Sequence, residues 1–200
     1  MNAKEEREDE LVLELLDAVG KRSDISQRYL ARHMGVALGL ANSYLKRCVR
    51  KGFIKVSEAP ANRYLYYLTP KGFAEKSRLT ASYLSNSFAF YRRASAACVD
   101  AFGRCAQSGW RRILLCGVSD LAEIASLQAS KSAVEIVGIY DPGSDLSRYI
   151  GQRVWRELDD ADVFDACVLT DLADPAASYA NLVEALGTER VVVPDILRVS

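Results

Sequence analysis

Apolar residues at Leu11, Leu15, Leu16 and Val19 recur every three or four positions, which predicts a helix over 8–19 that Gly20 ends. Ser26 stands where an N-cap belongs, ahead of Gln27–Met34, and Gly35 then turns the chain. Leu38 to Arg50 reads as a longer helix stopped by Gly52. A short helix, a glycine turn and a longer helix form the helix-turn-helix layout, with Leu30, Ala31, Met34, Val36, Leu45 and Val49 as its internal contacts. The pattern then switches to strands. Phe53–Val56 and the aromatic run Arg63–Leu68 flank the turn Ser57–Asn62, which predicts a hairpin, or wing. From Lys71 to about Ser108 there is no proline. Leu79, Tyr83, Phe90, Ala94, Ala97, Ala101 and Cys105 fall mostly three or four apart, beside Tyr91, Cys98 and Phe102, and predict one long helix with an apolar stripe. Such a stripe packs either on its own chain or, as a dimer seam, on a second copy.

After Trp110 short apolar runs alternate with helical patterns, as in parallel α/β folds. Strands are expected at Arg112–Cys116, Val134–Tyr140, Arg153–Trp155, Ala166–Thr170 and Arg190–Val193, with helices at Leu121–Ser130 and Ala176–Leu186. The expected fold class is therefore an α+β winged helix-turn-helix, a long linker helix, and an α/β domain with a small parallel sheet. The corresponding domains are 1–78, 79–109 and 110–200.

Charge sharpens this division. The net formal charge is zero, yet 18 Lys/Arg stand against 11 acids up to Gly109, and 8 against 15 beyond it. From Lys21 to Arg78 the balance is 13 to 3, the footprint of a polyanion partner. In a helix-turn-helix the front of the second helix reads bases. Asn42 has the chemistry for a bidentate contact to adenine and Arg47 for one to guanine. The candidate DNA-binding residues are Ser26, Gln27, Arg28, Gly39, Asn42, Ser43, Lys46 and Arg47, with Asn62 and Arg63 at the wing tip.

The stretches SQRYLARHMGV (26–36), NSYLKRCVRKGFIKV (42–56) and YLYYLTPKGFAEKSRLT (64–80) resemble winged-helix regulators of the MarR type, closest to the exopolysaccharide-associated branch. The resemblance covers a quarter to a third of the chain, and LTPKG at 68–72 is its most specific element. It implies a bacterial regulator that binds double-stranded DNA in a sequence-specific manner, usually as a homodimer. The chain departs from the family at Ala59-Pro60-Ala61, where the tip is short and uncharged.

In the second half, ILLCGVSDLA has the layout of a strand, a phosphate turn and a helix, but serine replaces the second glycine of G-x-G-x-x-G. Gly117 suits the tight turn, and Ala122 suits close helix–strand packing. Ser119 carries a side chain where a pyrophosphate approaches backbone, and Asp120 adds a negative charge. A phosphate would lie over the start of the helix at Asp120-Leu121. Asp141, 24 positions after Gly117, is spaced to meet a ribose hydroxyl.

VEIVGIYDPGSD (134–145), IGQRVW (150–155) and DDADVFDACVLTDL (159–172) are similar to short Rossmann-like domains of polysaccharide-biosynthesis enzymes. Repressors of the Rex type also join a winged helix to such a domain. This likeness implies a nucleotide sugar or NAD(H) as effector, at Gly117, Val118, Ser119, Asp120, Leu121, Asp141, Thr170 and Asp171. No cofactor is implied beyond that effector. The alternative is a ligand-free assembly module.

No catalytic set assembles. His33 is the single histidine, and the acidic run Asp159, Asp160, Asp162 and Asp165 fits no metal loop and reads as a solvated turn. The expectation is a regulator and not an enzyme. Five cysteines without a C-x-x-C pair suggest a reducing, cytoplasmic setting. The acidic start suits no signal peptide and no run reaches membrane-spanning length.

Overall fold

The computed structural model describes residues 3–60 and 63–199. They fall into two compact units, Met1–Ser87 and Phe88–Ser200.

In the first unit, α1 (Ala3–Lys21) buries Leu11, Val12, Leu15, Leu16 and Val19. It starts earlier than the apolar spacing predicts because residues 3–10 are Glu-, Lys- and Arg-rich, good helix formers that need no buried face. The Ser26 hydroxyl caps α2 (Gln27–His33) by accepting from the Tyr29 amide at 3.1 Å. Gly35, at φ +60°, turns the chain into α3 (Leu38–Arg50), which buries Ala41, Leu45 and Cys48. The wing pairs β1 (Ile54–Ala59) antiparallel with β2 (Arg63–Leu68), from Ile54↔Leu68 to Ala59↔Arg63.

The LTPKG element locks the wing to the next helix, α4 (Pro70–Gln107). The Thr69 hydroxyl donates to the Gly52 carbonyl at 2.6 Å and accepts from the Gly72 amide at 3.0 Å. A Cβ on Gly72 would overlap the Phe53 carbonyl, so glycine alone permits this approach.

The second unit holds a six-stranded sheet in the order β5-β6-β4-β3-β7-β8. The strands are β3 (Arg112–Cys116), β4 (Glu135–Tyr140), β5 (Arg148–Tyr149), β6 (Gln152–Trp155), β7 (Ala166–Leu169) and β8 (Val191–Val192). All neighbours run parallel except β5 with β6. Helices α5 (Asp120–Ala129) and α6 (Pro175–Leu186) follow β3 and β7. The first strand is central and the order reverses beside it, between β3 and β7. The ligand crevice of a doubly wound sheet opens at that point.

Alternation along β3 builds two cores. Ile113 and Leu115 pack with α5 and with Ala94, Cys98, Ala101, Phe102 and Cys105 of α4. Leu114 and Cys116 pack with Trp155, Cys167, Leu169 and Leu182 of α6. Thus the α4 stripe from Ala94 to Cys105 is buried in the protein's own α/β unit. The register of β4 slips beside Leu114, and Gly138 leaves room for the Trp155 ring, which any Cβ there would overlap. Between β6 and β7 the chain makes only a single 3-10 turn, Leu158–Asp160, within the acidic run.

Asp165 ends that run with a structural task. Its carboxylate accepts from the Arg111 and Arg112 amides at 2.7 and 2.9 Å, fixing the start of β3. The Arg112 amide above all, then that of Arg111, lowers its pKa from the ordinary 3.8. A carboxylate with a depressed folded pKa stabilises fully above its unfolded value and loses this as pH falls through the folded value. The melting-temperature gap between the wild type and Asp165→Asn should therefore hold from about pH 8 to 5 and narrow below about pH 3.8. A gap that widens in acid would contradict this role.

Candidate nucleic-acid interface and nucleotide-type turn

Opposite its buried residues, α3 turns Gly39, Ser43, Lys46 and Arg50 to solvent, at steps of four, three and four. The Ser43 hydroxyl donates to the Gly39 carbonyl at 3.0 Å. Leu38 and Leu40 stand exposed at the front of the helix. This face is flat and small at its N-terminal end and cationic at its C-terminal end.

Two candidates for base reading sit elsewhere. Arg47 lies on the flank toward α1, its guanidinium 3.0 Å from the Glu8 carboxylate and 4.9 Å above the Tyr44 ring. Asn42 is half-buried, with a buried side-chain oxygen that has no hydrogen-bond partner. Helical spacing alone could not foresee that α1 would cover the Arg47 flank.

Of the remaining candidates, Ser26 spends its hydroxyl as the α2 cap, while Gln27 and Arg28 are exposed. Asn62 lies outside the described residues. Arg63 closes the wing ladder opposite Ala59, and its side chain is not described.

Arg50, Val49, Val56 and Tyr64 were absent from the sequence candidates. With Gln27, Leu45, Lys46 and Tyr66 they line a groove of about 340 Å³ on the wing side of α3. The spacing Lys46–Arg50 and the alternation Tyr64/Tyr66 were the available signals. The exposed His33 stacks on Tyr29 at 5.8 Å between ring centres.

The turn after β3 brings most of its predicted residues together. Gly117 has φ +113°, and a Cβ there would lie 2.5 Å from the Asp171 amide nitrogen. Its N–H donates to the Tyr140 carbonyl at 2.9 Å. The Val118 amide donates to Asp141 at 2.9 Å, and the other Asp141 oxygen accepts from the Gly143 amide. Ser119 is the N-cap of α5, and its hydroxyl oxygen accepts from the Leu121 and Ala122 amides at 3.1 and 3.3 Å. The same hydroxyl donates to the Thr170 carbonyl at 2.5 Å, and the Thr170 hydroxyl donates to the Gly117 carbonyl at 2.7 Å. Asp171 accepts from the Ala173 amide and the Ser178 hydroxyl. Asp120 is exposed, and the Leu121 side chain is fully buried.

Two loops that would hold a phosphate are thus bonded to each other across the switch point. Two of the amides at the start of α5 already have an oxygen, from Ser119.

Residues 8–55 match the winged helix-turn-helix DNA-binding family model. No curated protein matches the chain. Among solved structures, a MarR family protein of Mycobacterium tuberculosis, in complex with p-aminosalicylic acid, is 22% identical. The match covers 36% of this chain and 55% of that one, with a TM-score of 0.33. FabT of Streptococcus pneumoniae, in complex with DNA, is 24% identical over 38% of this chain and 55% of its own, also at a TM-score of 0.33. The chain therefore spans about half the length of these two proteins. Human N-acetylserotonin methyltransferase, in complex with SAM, is 15% identical over 88% of this chain and 69% of its own, at a TM-score of 0.37. Overlays this loose say nothing of activity.

No group of three or more His, Cys, Asp or Glu among the described residues is placed to hold a metal ion. All five cysteines are free and buried, and burial pushes the thiols of Cys98 and Cys105 up to about 11. No helix among the described residues is long and apolar enough to cross a membrane.

Proposed function

We propose that this protein is a transcriptional regulator that binds double-stranded DNA as a homodimer, with α3 as its reading helix. The observation that carries the proposal is the exposed α3 face of Gly39, Ser43, Lys46 and Arg50, opposite a fully packed core and beside a wing. Small residues at the front allow close approach to base edges. Cations further along neutralise phosphates, which supplies most of the affinity.

The dimer rests on α4. Thr80, Leu84, Ser87, Phe88, Tyr91 and Ser95 fall on one helical face with no charge among them, and Leu84, Phe88 and Tyr91 are each more than 40% exposed. The segment 80–93 is rich in Ser, Tyr and Phe, which are middling helix formers, and a stretch this short is marginal as a helix in water. A second copy packed on that face supplies the missing burial. Selection from a library of randomised duplexes tests both parts. The reading expects an enriched motif with two half-sites about one helical turn apart. No enrichment would overturn sequence-specific binding, and a single unpaired half-site would overturn the dimer.

For the α/β unit the reading is an assembly module with no nucleotide bound at Gly117–Leu121 and no catalysis. The hydrogen bonds of Ser119 favour it, because the serine oxygen stands where a phosphate oxygen would. In a thermal-shift panel of NAD, NADH, UDP-sugars and GDP-sugars the wild type should not respond. A ligand at a hundred times its Kd would add about 2.7 kcal/mol, so binding could not escape notice. Ser119→Gly costs only a few tenths of a kcal/mol as a cap and frees both amides. This variant should gain a response to at least one dinucleotide or nucleotide sugar. A wild-type shift that Ser119→Gly abolishes would reverse the assignment and make Ser119 a ligand contact.

A further inference from the structure

In the major groove of B-DNA, about 12 Å wide, a helix has a sugar–phosphate strand along each flank. The two flanks of α3 differ in kind. On the α1 side Arg47 is held by Glu8 and stacked over Tyr44. On the wing side lies the groove of about 340 Å³. Its floor is hydrocarbon and ring, from Leu45, Val49, Val56 and Tyr66, with Val56 37% and Tyr64 53% exposed. Lys46 and Arg50 form its cationic rim. Neither has a carboxylate partner among the described residues, whereas Lys21, Arg22, Arg47, Lys76 and Arg78 of the same unit each meet one.

An occupant must therefore present an apolar surface and an anion side by side. We infer that this groove seats one deoxyribose–phosphate strand of the bound duplex. The sugar's carbon face lies on Val49, Val56 and Tyr64, and the adjoining phosphate sits between Lys46 and Arg50. The inference rests on α3 being the DNA-reading helix and adds a contact that sequence candidates centred on the helix front do not contain. A strand held this way fixes the depth and tilt of α3 without reading any base. Its loss should weaken all sequences alike.

The experiment measures fluorescence anisotropy of labelled duplexes, one of selected and one of unrelated sequence, across a salt series. The variants are Arg50→Gln, Val56→Asp and, as a control of equal charge change on the other face of the hairpin, Tyr67→Asp. Tyr67 is 43% exposed and lies outside the groove lining. Melting curves check that each variant folds. Arg50→Gln should weaken both duplexes by about tenfold and make the salt slope shallower by about one. Val56→Asp should weaken both by a similar factor, and Tyr67→Asp by less than about twofold.

If Arg50→Gln and Val56→Asp bind within twofold of the wild type while Ser43→Glu on the helix front loses binding, the groove assignment fails and the reading helix stands. If the wild type binds neither duplex, both fail. If Val56→Asp keeps its DNA affinity but sediments as a monomer, the groove is a contact between copies and the inference is overturned.

Discussion

Gly117→Val should collapse the α/β unit and leave the winged helix folded. At φ +113° a side chain is strained, and its Cβ would stand 2.5 and 2.6 Å from the Asp171 nitrogen and Cα. Neither backbone can withdraw. The Gly117 amide is tied to Tyr140, its carbonyl to Thr170, and the Thr170 amide to Cys116 at 2.8 Å. Strain of about 1–3 kcal/mol and overpacking of about 1–3 kcal/mol together reach the order of 4 kcal/mol. That is a large share of a domain's total of about 5–15 kcal/mol. Both tryptophans, Trp110 and Trp155, lie in the second unit, so their fluorescence reports on it alone. In a urea titration the fluorescence midpoint should drop sharply while the remaining helical circular dichroism persists to the wild-type denaturant concentration. An unchanged fluorescence midpoint would mean that the turn can open, and would weaken the view of it as closed.

The second large effect is on DNA. Reversing both rim cations, Lys46→Glu with Arg50→Glu, should lower duplex affinity by at least about a hundredfold at moderate salt, since each change removes one neutralised phosphate and adds a repulsion. Both side chains are exposed and without acid partners among the described residues, so stability should stay within about 0.5 kcal/mol of wild type. A loss below threefold, measured by anisotropy with a duplex of about 30 base pairs, would remove α3 from the interface.

Periodicity made most of the fold legible. Leu11–Val19, Leu38–Arg50 and the wing alternation lie where the sequence places them because each buries one face, and burial writes a period into the chain. Elements that bury little left no such trace. The first turns of α1 and the two-residue β5 were invisible for that reason. The boundaries of the short strands moved by a residue or two.

The candidate sites were legible to different depths. Ser119, Thr170, Asp141 and Gly117 do converge, since a strand–turn–helix motif fixes where its loops meet. That Ser119 would close the turn by bonding Thr170 depends on a contact 51 positions away, beyond any local pattern. Arg47 shows the same gap. Its charge is plain in the sequence, but its direction is set by Glu8 on another helix. The groove of Val49, Val56 and Tyr64 emerges only when the wing folds back beside α3, which no single segment encodes.

The central claim is that the winged-helix unit holds DNA through its unpaired cations. The measurement that tests it most directly is wild-type affinity for a labelled duplex between 50 and 200 mM salt, an interval set by counterion release. The account predicts binding throughout, with log affinity falling against log salt at a slope of roughly −4 or steeper, two or more phosphates per protomer in a dimer. A slope near zero, or no binding at the lowest salt, would contradict it.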